Sequence, residues 1–293
     1  MDGVGKSTTG LGDAVTAAHT PTLDKLLATC KNVYIKAHGT AVGLPSDEDM
    51  GNSEVGHNAL GCGQVYSQGA KLVEEAIESG EIFNSSAWQE LKNNCVTHGS
   101  AMHFLGLLSD GNVHSNINHL IALIKGAKRD GIKKVFVHVL LDGRDVPATS
   151  ALQYVDMLEN AMAELNDESF TAKIASGGGR MTITMDRYFA NWDMVKRGFY
   201  THVYGEGRGF ESATAAIETF RAETPGIIDQ DLPAFVVVKD GKPVGAMHDN
   251  DSVILFNFRG DRSIEISKAF DDEKFDKFDR VRYPKVVYAG MLE

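Results

Sequence analysis

Ser53 stands at the centre of the stretch DMGNSEVGHNALGCG, Asp49 to Gly63. Gly51 and Asn52 form a turn signal, and Ser53 to Ala59 reads as the first turns of a helix. A serine there has its hydroxyl among unpaired backbone N–H groups at the positive end of a helix dipole. The position suits an anionic phosphate, or a nucleophilic alkoxide if a metal or base takes the proton. It equally suits a plain N-cap, with Glu54 and His57 as solvated first-turn residues. The pattern alone leaves both readings open.

A second group of candidates is made of arginines. Arg144, Arg180, Arg187, Arg259 and Arg262 all fall in loops that follow strand-like runs, or just beyond them. The planar guanidinium fork binds carboxylate or phosphate through two parallel hydrogen bonds, which an ammonium cannot do. Five converging guanidiniums repel one another unless a polyanion neutralises them. The alternative is that each pairs with its sequence neighbour, Arg144 with Asp145 and Arg187 with Asp186.

Three further constellations carry less. Asp110 and His114 stand four apart, but Gly111 and Asn112 between them argue for a loop, so His114 reads as a phosphate contact and not a metal ligand. Ser53, His57 and a distant aspartate lack the G-x-S-x-G nucleophile elbow, so His57 reads as support for its loop. Gly5, Lys6, Ser7 and Thr8 match the end of a P-loop, yet the earlier glycine and the strand it needs are missing from the sequence. A nucleotide kinase is the weakest of the functional readings.

The elements that must position these residues follow a regular rhythm. Thr20 to Ala28 reads as an amphipathic helix and 32–37 as a short strand; Leu72, Val73, Ala76 and Ile77 recur at helical spacing. Trp88 and Leu91 open a helix as core residues. Strand-like runs at 103–108, 134–141, 173–175, 234–238, 252–258 and 285–289 alternate with loops and with helices, at 115–130 and at the repeat Leu152, Val155, Leu158, Met162, Leu165. Apolar runs without polar alternation predict an α/β fold with a largely parallel sheet. In such sheets ligands bind at the loops leaving the carboxyl ends of the strands, where the arginines lie.

The 293 residues are 43% hydrophobic and 24% charged, with a net charge of −11. That balance argues against nucleic acid or an acidic membrane as the main partner, while a small anion remains compatible with a local basic cluster. Cys30, Cys62 and Cys95 are odd in number and widely spaced, so neither a disulfide framework nor a zinc motif is expected. They fit a reducing compartment. There is no apolar leader and no run approaching a membrane span, and a cytoplasmic location is the expectation.

The spelling of these stretches adds a resemblance. GNSEVGH, Gly51 to His57, is similar to the nucleophile segment of the cofactor-independent (2,3-bisphosphoglycerate-independent) phosphoglycerate mutases of the alkaline phosphatase superfamily. SDGNVHSN resembles the family's SDGGVHSH, with Asn116 in place of the last histidine. LDGRD, GGGR, TMDRY and FNFRGDR follow in the family's order, and TPTLDKLLA resembles its TPTMDxL helix. The resemblance runs from about Asp2 to about Arg262 and spans about half of a typical member.

What the resemblance implies is specific. Ser53 would be the nucleophile, and Asp145 a proton-transfer residue for the glycerate hydroxyl. His114, Arg144, Asp145, Arg180, Arg187, Arg259 and Arg262 would bind 3-phosphoglycerate or 2-phosphoglycerate. Asp2 and Ser53 would contact two divalent ions, Mn²⁺ or Mg²⁺. The family's remaining metal ligands and a substrate lysine belong to the second half of its phosphatase domain. The expectation is therefore an incomplete alkaline-phosphatase-like domain over 1–68, an inserted α/β transferase domain over 69–285, and the start of a return linker over 286–293. A monomer is expected, with a separate C-terminal half as an option and a catalytically inactive phosphoglycerate-binding fragment as the alternative function.

Overall fold

The computed structural model describes residues 4, 5, 7 and 9–292. The metal-contact expectation at Asp2 and half of the GKST segment, Lys6 and Thr8, lie outside the described residues. The chain divides into two units, Met1–Lys71 and Leu72–Glu293.

The first unit holds α1 (Ala14–Ala17), α2 (Pro21–Thr29), a 3₁₀ turn (Gly39–Val42), α3 (Ser53–Cys62) and the start of α4 (Gly69–Glu78). Pro21 starts α2 where its missing N–H costs nothing. None of the residues of α2 is buried, so its amphipathic pattern is not used against a core within the described residues. The strand expected over 32–37 does not form: Val33, Tyr34 and Ile35 are exposed, and no ladder includes the segment. Apolar alternation makes a strand only where another strand satisfies its backbone groups.

The second unit follows α4 with α5 (Glu81–Asn84), α6 (Ser86–His98), β1 (Met102–Leu108), α7 (Ile117–Arg129), β2 (Lys134–Leu141), α8 (Ala151–Leu165) and β3 (Thr171–Gly179). Then come α9 (Trp192–Tyr204), β4 (Arg208–Phe210), α10 (Ala213–Glu223), β5 (Phe235–Lys239), β6 (Lys242–Pro243), β7 (Ser252–Leu255), α11 (Ile264–Asp271) and β8 (Val287–Gly290). The sheet order is β4-β5-β3-β2-β1-β7-β8, with β6 paired to β5. All pairings are parallel except β3 with β5 and β5 with β6. This is the α/β fold with a largely parallel sheet that the apolar runs predict.

Both faces of the sheet are covered, which is why every residue of β1 is buried. One face sends Phe104, Val135, Val137, Val139 and Ile174 against α7, α8 and α10. The other sends Leu105, Leu107 and Leu140 against Val195, Phe199 and Val203 of α9 and Ile266 and Phe270 of α11. The β2–β3 register slips by one residue between Val137 and His138, so that Val137 faces Ile174 while His138 faces Ser176. That bulge moves Ser176 onto the second face. Among the described residues no helix is long and apolar enough to cross a membrane.

Candidate phosphoglycerate site

The carboxyl ends of β1, β2, β3 and β7 release four loops, and most of the expected site residues meet there. Asp142, the first residue after β2, organises them. Its Oδ2 accepts from Ser109 Oγ at 2.7 Å, and its Oδ1 accepts from the N–H groups of Arg144 and Asp145 and from Arg180 Nη1 at 2.8 Å. Gly143 turns the chain at φ +65, where a Cβ would lie 2.8 Å from the Ala148 carbonyl oxygen. Sequence reasoning passed over Asp142. The only available signal was an aspartate followed by glycine directly after a buried strand.

Arg180 is buried, and its two terminal nitrogens carry the pairing while Nε has no hydrogen-bond partner among the described residues. Its Nη1 also donates to Asp145 Oδ2 at 2.5 Å, and its Nη2 donates to His114 Nε2 at 2.7 Å. His114 therefore uses Nε2 as an acceptor and carries its proton on Nδ1. Burial, then the charges of Arg180, Arg259, Arg262 and Arg187, lower its pKa from 6.5 to about 2. It is held neutral. Phe258 N donates to the His114 carbonyl at 2.8 Å and ties the β1 loop to the β7 loop.

Asp261 gathers the rest. Its Oδ1 lies 3.1 Å from Arg259 Nε and 3.7 Å from His114 Nδ1, and its Oδ2 lies 3.5 Å from Arg187 Nη1. Arg262 donates through Nη1 to the Met185 carbonyl at 2.6 Å. Burial lowers the Arg262 pKa, followed by the charges of Arg187 and Arg180, with Arg144 acting in the same direction. Glu265, bonded to Asp186, also faces Arg262, so the carboxylates roughly match the guanidiniums. What suits a small oxyanion is the convergence of planar N–H donors.

The alternative, in which Arg144 pairs with Asp145 and Arg187 with Asp186, does not occur among the described ion pairs. Asp145 pairs with Arg180 and not Arg144, and Arg187 pairs with Asp261 while Asp186 accepts from Asn191 N at 2.5 Å. Arg144 itself is exposed. Asn116, where the family motif has histidine, is the N-cap of α7: its Oδ1 accepts from Asn118 N at 2.8 Å, and its side-chain N–H donates to Asn112 at 3.1 Å. Asp110 accepts from Tyr154 O–H at 2.5 Å and belongs to the loop, not to a metal pair with His114.

Ser53 lies in the first unit. The N-cap of α3 is Asn52, whose Oδ1 accepts from Glu54 N at 3.0 Å and Val55 N at 3.3 Å. Ser53 is thus the first helical residue, exposed, and its hydroxyl is not required for the cap. A Cβ on Gly51 would meet the Ala37 carbonyl oxygen at 1.9 Å, so only glycine lets the turn before Ser53 approach that strand-like segment. His57 Nδ1 sits 2.6 Å from the Ser53 carbonyl oxygen, where it donates to backbone within the first turn. At the other end of the unit, no helix among the described residues opens at Gly5 or Ser7. The Ser7 hydroxyl accepts from Thr9 N and Gly10 N in a local turn, so the described part of GKST has no P-loop geometry.

Residues 73–293 match the family described as BPG-independent PGAM N-terminus (iPGM_N). The chain belongs to the 2,3-bisphosphoglycerate-independent phosphoglycerate mutase family. A probable 2,3-bisphosphoglycerate-independent phosphoglycerate mutase of Leptospira interrogans is 55% identical over 295 residues, covering 100% of this chain and 54% of the relative. The mutase of Trypanosoma brucei is 52% identical, covering 100% of this chain and 53% of that protein. A crystal structure of Leishmania mexicana phosphoglycerate mutase at low cobalt concentration superposes with a TM-score of 0.95 at 51% identity. It covers 99% of this chain and 53% of the Leishmania one. The chain spans about half the length of these relatives. In this phosphoglycerate mutase family member the guanidinium cluster sits wholly in the unit that the family match covers.

Proposed function

We propose that this chain takes part in the interconversion of 3-phosphoglycerate and 2-phosphoglycerate, and that its second unit binds the phosphoglycerate. The observation that carries the reading is the buried Arg180, pinned by Asp142, Asp145 and His114 beside Arg187, Arg259 and Arg262. Such a cluster presents fixed donors to a carboxylate and a phosphate, and little rearrangement is needed on binding. The test is calorimetric titration of the 293-residue chain with 3-phosphoglycerate. Saturable binding that is lost in Arg180→Met supports the reading, and its absence in the parent chain sinks it.

In the reaction we propose, Ser53 Oγ attacks the substrate phosphorus. The new Oγ–P bond forms as Oγ gives up its proton and the P–O bond to the glycerate breaks, and the departing alkoxide takes up the proton so released. The other glycerate hydroxyl then attacks the phosphoserine, gives up its proton and regenerates Ser53. Asp145 is the proton-transfer residue. Its hydrogen bond from Arg180 fixes the orientation of the carboxyl group. Arg187, Arg259 and Arg262 hold the glycerate end while its two hydroxyls exchange roles.

Two divalent cations, Mn²⁺ or Mg²⁺, would supply the positive charge that acidifies a serine and neutralises a phosphate. Asp2 and Ser53 are the residues of this chain assigned to them by resemblance. Among the described residues, no group of three or more His, Cys, Asp or Glu could hold a metal ion. The described residues do not fit such a site by themselves. That same observation favours a second reading for the isolated polypeptide, in which it binds phosphoglycerate without turning it over.

A further inference from the structure

A single line of hydrogen bonds crosses the interior of the second unit on the α9 side of the sheet. Asp251 Oδ2 lies 3.1 Å from His103 Nε2, and His103 Nδ1 lies 2.9 Å from His138 Nε2. His138 Nδ1 lies 2.7 Å from Ser176 Oγ, and Ser176 Oγ lies 2.8 Å from His202 Nδ1. His202 Nε2 lies 2.9 Å from Thr184 Oγ1. All six residues are buried, with exposures between 0% and 3%. The line begins before β7, crosses β1, β2 and β3, which are neighbours in that order, and passes through α9 to the loop after β3. It therefore joins the amino-terminal edge of the sheet to the arginine loops.

The directions of these bonds are set from one end. A carboxylate only accepts, so His103 Nε2 donates to Asp251. With one proton on each ring, His103 Nδ1 accepts from His138 Nε2–H, and His138 Nδ1 accepts from the Ser176 hydroxyl. Ser176 then accepts from His202 Nδ1–H, and His202 Nε2 accepts from the Thr184 hydroxyl. Every donor points toward Asp251, the alignment in which successive hydrogen bonds polarise one another. Asp251 is itself fixed by the N–H groups of Ala101 at 2.8 Å and His248 at 2.7 Å. Burial raises its carboxyl pKa, but the hydrogen bonds from His103 and the two N–H groups outweigh that and hold it low. Burial keeps both His138 and His202 neutral.

The far end of the line bears on the site. Thr184 has φ +66, a conformation that a β-branched residue rarely adopts, and Tyr188 and Phe189 in the same loop are also at positive φ. A Cβ on Gly198 of α9 would lie 2.0 Å from Thr184 Oγ1, so the helix leaves room for that hydroxyl and nothing more. The next carbonyl, that of Met185, accepts from Arg262, and two residues further on Arg187 pairs with Asp261. We propose that the line from Asp251 to Thr184 is a positioning device. By anchoring the Thr184 hydroxyl it holds the left-handed turn that presents Arg187 and the Met185 carbonyl on which Arg262 is mounted. Thr184, His202, His138 and His103 are thus positioning residues, not catalytic ones. The ligand readout below rests on the phosphoglycerate reading; the exchange readout does not.

The test uses the 293-residue chain and two nearly isosteric changes. Thr184→Val keeps volume and branching but removes the donor to His202; Ser176→Ala cuts the line between β2 and α9. In both, amide hydrogen exchange at residues 184–189 should quicken at least ten-fold while β1 and β2 amides keep their protection. The Kd for 3-phosphoglycerate should weaken roughly ten-fold, the scale of one lost buried hydrogen bond. Thr184→Ser should restore both readouts. Nitrogen-15 spectra of the parent chain should show His103 and His138 protonated on Nε2 and His202 on Nδ1. Unchanged exchange and affinity in Thr184→Val overturn the proposal. An effect in Thr184→Val with none in Ser176→Ala confines the anchor to Thr184 and His202 and overturns the line across the sheet. A parent chain that binds no 3-phosphoglycerate would remove the functional reading, and the exchange result would still decide this one. If Thr184→Val does not fold, Ser176→Ala decides it alone.

Discussion

Arg180 donates to Nε2 of His114 at 2.7 Å, so a cation is hydrogen-bonded to an imidazole that must stay uncharged to accept it. Protonating His114 would break that bond and add a like charge inside a ring of arginines.

This relationship has a pH consequence with a definite sign. The folded pKa of His114 is depressed to about 2, and that of His202 to about 3, against an ordinary 6.5. Below pH 6.5 the unfolded chain binds protons that the folded chain refuses, so stability is full above that pH and is lost as pH falls toward the folded values. Each such histidine should cost about 2 kcal/mol between pH 7 and pH 5. Urea midpoints at the two pH values should show the loss, and His114→Asn should lose less than the parent. A midpoint flat from pH 7 to pH 5 would contradict the buried neutral state.

Arg259 makes a different prediction. Its Nε lies 3.1 Å from Asp261 Oδ1, at the end of the loop that follows β7. Arg259→Lys keeps the charge and removes the planar pair of donors. The Kd for 3-phosphoglycerate should rise roughly ten- to hundred-fold, the scale of a charged hydrogen bond worth about 1.5–3 kcal/mol. An unchanged titration would take Arg259 out of the binding surface.

Packing between α9 and the β3 loop supplies a third. Gly198→Ala would put a methyl 2.0 Å from Thr184 Oγ1 and 2.8 Å from its backbone nitrogen. Neither neighbour is a flexible side-chain end. Overpacking of this kind costs about 1–3 kcal/mol, and the urea midpoint should fall accordingly. Parent-like stability would mean that the loop yields easily, contrary to its anchoring by His202, Arg262 and Glu265.

Much of this arrangement was legible in the sequence because burial on both faces leaves a plain signature. The run KVFVHVLL is β2 over its whole length, and the repeat ending at Leu165 is α8. The arginine loops were legible for the same reason, since the strands that end at them are unmistakable. What the sequence hid is everything decided across loops. Asp145 had Arg144 beside it and took Arg180; Arg187 had Asp186 beside it and took Asp261. The histidine line was hidden more deeply: His103, His138, Ser176 and His202 are far apart in the chain, and Ser176 reaches the line only through a bulge. The 32–37 segment failed in the opposite sense, for its residues look like a strand but no sheet among the described residues includes them.

Ser53 carries the last prediction. It is the first residue of α3, and the cap of that helix is supplied by Asn52. It sits among first-turn N–H groups that favour an anion, which fits a phosphoserine. Deprotonation at neutral pH is the obstacle, and the described residues contain no group able to hold the metal ions that would lower it. On the binding-only reading proposed above, the 293-residue chain, incubated with Mn²⁺ and 3-phosphoglycerate, should bind ligand, show no mutase turnover, and carry no phosphate on Ser53 by mass spectrometry. In a full-length relative carrying the same segment, the serine should be phosphorylated, and its change to alanine should abolish both the phosphate and turnover. A phosphorylated Ser53 in the isolated chain would show that the first chemical step needs nothing beyond these residues, and the binding-only reading of the polypeptide would fall.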